Sequence, residues 1–216
     1  MVMVQRMNTG REALCFVIKM MYIIFGLPCL LFIGVLGFFA VLFPSTNTPG
    51  SPSLLPFVSL VWIGILVPVA IFIYNVIRKR RLLKRLVPNL KDPRYFDPQS
   101  GYEIYHEGDG KYFGIDLIHG TMLYVHRIRK GEVDVLGLDM GSWTDREVEG
   151  NLLRLYTRYP ELPKLQIGTP WAQRWFDTLG AMENRDYQTP TPYATFVAER
   201  YAQLEKANNI KIPRLA

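Results

Sequence analysis

The chain has 216 residues, 49% of them hydrophobic, with a formal net charge of +6 and a mean hydropathy just above zero, which fits one modest domain plus an apolar segment. From Met20 to Ile77 there is no Lys, Arg, Asp, Glu or His, a run of 58 positions that no soluble core requires. Residues 86–216 hold 16 basic and 18 acidic residues, so the basic excess belongs to the flanks of the apolar run, and a nucleic-acid face on the folded part is not indicated.

Residues 1–19 carry Arg6, Arg11 and Lys19 against Glu12. Cys15 and Cys29 are too few and too badly placed for a disulfide framework and read as free thiols; the sharper alternative is lipidation of Cys15 near a membrane surface. Two segments reach the roughly 20 apolar residues that a spanning helix needs: Met20 to Phe43, and Leu54 to Ile77. The first is longer than the apolar region of a cleaved signal peptide and ends "FFAVLFPS", without the small-x-small cleavage pattern, so it reads as an uncleaved anchor. "PSTNTPGSPS" between them suits a tight, uncharged turn. Pro28, Pro68, Gly26, Gly34, Gly37 and Gly64 fall inside the spans. Small residues there favour packing of one span on the other, and no strict GxxxG motif occurs.

"NVIRKRRLLKR" comes directly after the second span, with Arg78, Lys79, Arg80, Arg81, Lys84 and Arg85 within eight positions. Lys and Arg accumulate in short cytoplasmic segments beside spans. Basic residues flank both outer ends and the turn has none, so both termini are expected in the cytoplasm, in a multi-pass membrane protein with membrane lipids as its first partners. Leu82, Leu83 and Leu86 recur at helical spacing, which predicts that the second span continues as an amphipathic turn or two along the headgroups until "VPNLKDP" breaks it.

The chain therefore divides into a hairpin with basic flanks over 1–85, a proline-rich linker over 86–110 (Pro88, Pro93, Pro98), and a cytoplasmic α+β domain over 111–216. "KYFGIDLI", "TMLYVHRI" and "EVDVLGLD", separated by Gly turns, read as an antiparallel meander with Phe113, Ile115 and Leu117 on one face. "NLLRLYT" and "KLQIG" are two further strands. Thr169-Pro170 and Thr191-Pro192 each give a capping hydroxyl and a proline pre-set for a helix start. Behind them Trp171, Ala172, Trp175, Phe176, Leu179 and Met182, then Tyr193, Phe196, Val197, Tyr201 and Leu204, mark apolar faces. Strands succeeded by helices predict an antiparallel sheet with helices on one face or end, of which a small pleckstrin-homology-like sheet with a closing helix is one version.

Catalytic signatures are absent. His106, His119 and His126 lie in no Cys/His ligand cluster or HExxH arrangement; there is no GxSxG, GxxxxGK[ST] or GxGxxG, and residues 86–216 have no cysteine to act as a nucleophile. No cofactor or metal is expected. The carboxylates of "DMGSWTDREVEGN", namely Asp139, Asp145, Glu147 and Glu149, match no EF-hand spacing and read as a solvated acidic loop. With Trp143 and Arg146 among them, the same loop is the candidate partner-binding surface.

The apolar hairpin, the junction "RKRRLLKR" and the stretch "FGIDLIHGTMLYVHRIRKGEVDVLGLDMGSWTDREVEGN" resemble the surface-exclusion (entry-exclusion) proteins of I-type conjugative plasmids over most of the chain. The resemblance implies a non-enzymatic inner-membrane protein of the recipient cell. Such a protein blocks redundant DNA transfer by recognising a polytopic membrane component of the donor's type IV secretion system. The residues themselves leave three classes open: a membrane-tethered recognition module, a membrane-tethered enzyme or lipid-binding module, and a DNA-tethering protein. Oligomeric state is not written in the sequence.

Overall fold

The computed structural model describes residues 14, 17–43 and 54–214. The connecting turn at 44–53, Cys15 and both extreme termini lie outside the described residues. Helix α1 (Leu27–Leu42) is entered through a π-helical turn, Tyr22–Gly26, in which the Leu27 N–H donates to the Tyr22 carbonyl. That widened turn sits directly ahead of Pro28, which has no N–H to offer and whose ring crowds the preceding turn. Helix α2 (Leu55–Leu86) runs for 32 residues with Pro68 inside it. With the helical residues ahead of it the first segment runs Val17–Leu42, and it and the second, Leu55–Asn89, are long and apolar enough to cross a membrane.

The two helices pack through small residues, as their glycines predict. Gly34 faces Val61, Trp62 and Ile65, and a Cβ on Gly37 would lie 2.8 Å from Val58 Cγ2. The Tyr22 hydroxyl donates to the Gly64 carbonyl at 2.9 Å. Val58, Val61 and Ile65 are buried at this contact, while Phe32, Leu60 and Phe72 stay exposed apolar surface. That pattern suits a hydrocarbon surround, which gives helices no hydrophobic drive to associate and leaves close van der Waals packing to hold them.

A second unit begins at Val76, inside α2. The leucines within and just after the basic run do not lie along headgroups: Leu83 and Leu86 are fully buried, with Leu82 partly buried beside them, in a cluster with Tyr112, Leu123 and Tyr193. Nor is 86–110 a bare linker. A 3-10 turn, Val87–Asn89, ends the long helix, and Val87, Leu90 and Phe96 are completely buried in the same cluster. Strand β1 (Glu103–His106) then pairs antiparallel with β2 (Lys111–Asp116).

The meander is present as β2, β3 (Thr121–Arg129) and β4 (Glu132–Asp139), so the first sheet has the order β1-β2-β3-β4. Its registers, Tyr112↔Val125 and Val125↔Val135, fix which residues share a face. Tyr112, Leu123, Val125, Val133 and Val135 point to one core with the end of α2 and the C-terminal helix. Phe113, Ile115, Met122, Tyr124, Leu136 and Leu138 point to the other. A sheet covered on both faces explains why these strands are nearly continuous in apolar residues.

The second core is closed by a three-stranded sheet, β5 (Trp143–Glu149), β6 (Leu152–Thr157) and β7 (Lys164–Gly168), through Leu153, Leu155, Leu165 and Ile167. Helix α3 (Ala172–Met182) joins that core with Trp175, Leu179 and Met182. Helix α4 (Tyr193–Asn208) packs on the opposite side through Tyr193, Phe196, Val197, Tyr201 and Leu204. The architecture is α+β, with two antiparallel sheets.

Candidate recognition surface

Most of the stretch 139–149, from Trp143 on, is a strand and not a loop. A 3-10 turn, Met140–Ser142, leads from β4 into β5, and a register shift between Trp143 and Asp145 sets the alternation along the rest of the strand. Trp143, Arg146 and Val148 point inward; Asp145, Glu147 and Glu149 are exposed. The six residues singled out from the sequence are therefore not one surface.

Trp143 is buried in the second core. The Arg146 guanidinium lies 5.6 Å from the Trp143 ring centroid and 4.8 Å from that of Phe176, and it pairs with Glu183 past the end of α3. Arg146 is thus a bridge from β5 to α3. Asp139 ends β4 and is engaged as well: its carboxylate accepts the Tyr193 N–H at 3.0 Å and the Ala194 N–H at 3.4 Å. It satisfies the first donors of α4, a task the sequence assigned to Thr191, whose hydroxyl instead donates to Tyr95 Oη.

The outward residues combine with neighbours on β6. Arg154 pairs with Glu149 and, at 3.7 Å, with Glu147. The Tyr156 hydroxyl donates to Glu147 at 2.8 Å, and this hydrogen bond raises the phenol's pKa above its usual range. Lys164 on β7 stands across from Tyr156 in register. Exposed ion pairs of this kind contribute little to stability, so they exchange for a partner's charges at small cost. Arg154 and Tyr156 were absent from the sequence-based set, although the alternation in "NLLRLYT" puts them opposite Leu153 and Leu155.

Beside Asp139, a cleft of about 630 Å³ separates the 119–120 turn from residues 185–192. His106 and His119 are structural in their contacts. His106 Nε2 meets the Gly168 carbonyl, joining the two sheets, and His119 Nδ1 lies 2.7 Å from the buried Asp116 carboxylate, which also accepts the N–H groups of Asp97 and Ile118. Among the described residues there is no group of three His, Cys, Asp or Glu side chains suited to a metal ion.

A family model described as exclusion-determining protein matches residues 2–216. The chain belongs to the exclusion-determining protein family. No curated protein and no solved structure matches it. For this exclusion-determining family member, the match includes both apolar helices and the whole two-sheet unit, so it concerns their combination.

Proposed function

We propose that the protein is a non-enzymatic, two-span inner-membrane protein of a plasmid-bearing recipient cell. In this reading it excludes redundant conjugative transfer by recognising a polytopic membrane component of the donor's type IV secretion system. The observation that carries the reading is the family match over 2–216, joined to two membrane-length apolar helices. The basic run at Arg78–Arg85 with no basic residue from Met20 to Ile77 supports cytoplasmic placement of both termini. That placement requires the donor component to reach the recipient's cytoplasmic face.

The exposed row Asp145, Glu147 and Glu149, crossed by Arg154, is the recognition face this reading favours. Charges at an interface rim set encounter rate and partner choice more than fold stability. The experiment is conjugation frequency into recipients expressing the wild type or a triple variant, Asp145→Lys, Glu147→Lys and Glu149→Lys. Wild type is expected to lower transfer of the matching plasmid far more than that of an unrelated one, and the triple variant, equally abundant in the membrane, to restore it. Alkaline phosphatase fused after Ala216 is expected to be inactive. Unchanged transfer with correctly localised wild type rejects exclusion; an active fusion rejects the topology.

A further inference from the structure

A second charged feature lies apart from the carboxylate face. Where α2 meets the β1–β2 and β3–β4 turns, a groove of about 420 Å³ is lined by Lys79, Lys111, Arg127, Arg129 and Lys130, with Asp109 as its one carboxylate. The other acids nearby are engaged at the rim: Glu132 with Arg129 at 2.9 Å and Glu107 with Arg80 at 2.8 Å. Positive charge therefore remains in clear excess.

The groove is held in shape by backbone features. Lys79 Nζ donates to the Gly108 carbonyl at 2.6 Å, tying the helix to the β1–β2 turn. Gly110 is buried with φ of +72°, and a Cβ there would meet Arg127 Cβ at 3.2 Å and Lys79 Cγ at 3.5 Å. Only glycine accepts both that dihedral and that closeness easily. On β3 the register shifts between Arg127 and Arg129, a bulge of the kind that re-aims side chains beside binding sites. Arg127 is half-buried, and its burial together with the charge of Arg78 lowers its pKa. Cations crowded in this way are stabilised by an anion that accepts several charge-assisted hydrogen bonds.

The helix indicates the source of the anion. Lys79 stands two residues after Ile77, the last position of the uncharged run, hence about 3 Å further along the axis. A span that ends there delivers Lys79 to the depth of lipid phosphates. We propose that this groove binds a phosphate oxyanion, with an anionic phospholipid headgroup as the source its position favours; only that choice of source rests on the two-span reading above.

The test uses the full chain purified in a neutral detergent and measures equilibrium binding of fluorescent short-chain phosphatidylglycerol and phosphatidylcholine, with inorganic phosphate as competitor. Phosphatidylglycerol is expected to bind saturably and phosphatidylcholine far more weakly. Since each basic side chain adds about 1 kcal/mol toward an anionic surface, Lys111→Gln with Lys130→Gln is expected to weaken phosphatidylglycerol binding about tenfold or more. Lys84→Gln with Arg85→Gln removes equal charge from side chains that do not line the groove and is expected to change it less than about twofold, because exposed charges away from the bound anion are screened. Lys130→Glu, at an exposed turn, is the second variant, and circular dichroism verifies the fold of each. Saturable phosphate binding without a preference for phosphatidylglycerol keeps the groove and assigns it to a soluble phosphate. Equal weakening by the two double variants, or no saturable binding of either anion, overturns the proposal. Conjugation plays no part in the readout, so exclusion stands or falls separately.

Discussion

Arg146 shows how one side chain joins two elements. From β5 it passes Trp143, lies over Phe176 and ends at Glu183, and α3 has a glycine where it passes: a Cβ on Gly180 would come within 2.6 Å of Arg146 Nη2. A guanidinium stacks flat on aromatic rings where an ammonium does not, so Arg146→Lys keeps the charge for Glu183 and loses the fit. Arg146→Ala is expected to destabilise the protein by about 1 to 2 kcal/mol through lost cation–π and packing contacts. For Trp143→Ala the expectation is about 3 to 5 kcal/mol, the cost of emptying an aromatic site in a core. Thermal melts of the full chain in detergent check both. A melt unchanged by either substitution refutes the bridge, and any loss of exclusion in these two variants is then read as recognition instead of folding.

At the scale of elements, the close fit of α4 on β4 depends on Gly137 and Asp139. A Cβ on Gly137 would lie 2.8 Å from Val197 Cγ2 and 3.0 Å from the Tyr193 carbonyl oxygen; the second atom is backbone and does not swing aside. Gly137→Ala is expected to push the helix outward at a cost of about 1 to 3 kcal/mol, seen as a lower melting temperature, with an unchanged melt showing that the packing gives freely. The helix itself was legible in the sequence, because Tyr193, Phe196, Val197, Tyr201 and Leu204 recur at helical spacing. Its cap was not: the carboxylate comes from Asp139, 54 positions before Tyr193, and no local signal reports that distance. β5 was hidden for a different reason. Its bulge after Trp143 breaks strict alternation, and Arg146 puts a charge where a strand pattern calls for an apolar residue. β1 has four residues in a stretch full of Pro and Gly, and the burial of Leu83 and Leu86 came from a sheet that the basic residues around them gave no reason to expect.

At the scale of the whole unit beyond Val76, three tyrosines tie the layers of the α4-side core together. The Tyr112 hydroxyl donates to Glu103 at 2.9 Å, linking β2 to β1. Tyr193 donates to the Leu90 carbonyl at 3.0 Å, linking α4 to the segment after α2. Tyr201 donates to the Val135 carbonyl at 2.7 Å, linking α4 to β4. A phenolate cannot donate, and each would be formed among apolar neighbours, so burial first of all raises all three pKa values: Tyr201 to about 12, Tyr112 further, and Tyr193 well above the usual phenol range. Tyr105, beside Tyr112, is pushed up to about 12 by burial and then by the Glu103 charge. The unfolded chain releases these protons near pH 10, so the folded state binds more protons than the unfolded state above that pH. The stability due to the neutral phenols is complete below about pH 10 and falls as pH rises toward 12. For Tyr201 alone the loss is on the order of 2 to 3 kcal/mol. Chemical denaturation of the full chain in detergent, monitored by tryptophan fluorescence, is expected to give a flat stability from pH 8 to about 10 and a steep decline above it. Tyr201→Phe gives up the hydrogen bond to Val135 and so starts lower, but it has no proton to lose and its decline above pH 10 is expected to be shallower. Equal slopes for the wild type and Tyr201→Phe would show that the alkaline transition is driven elsewhere in the molecule.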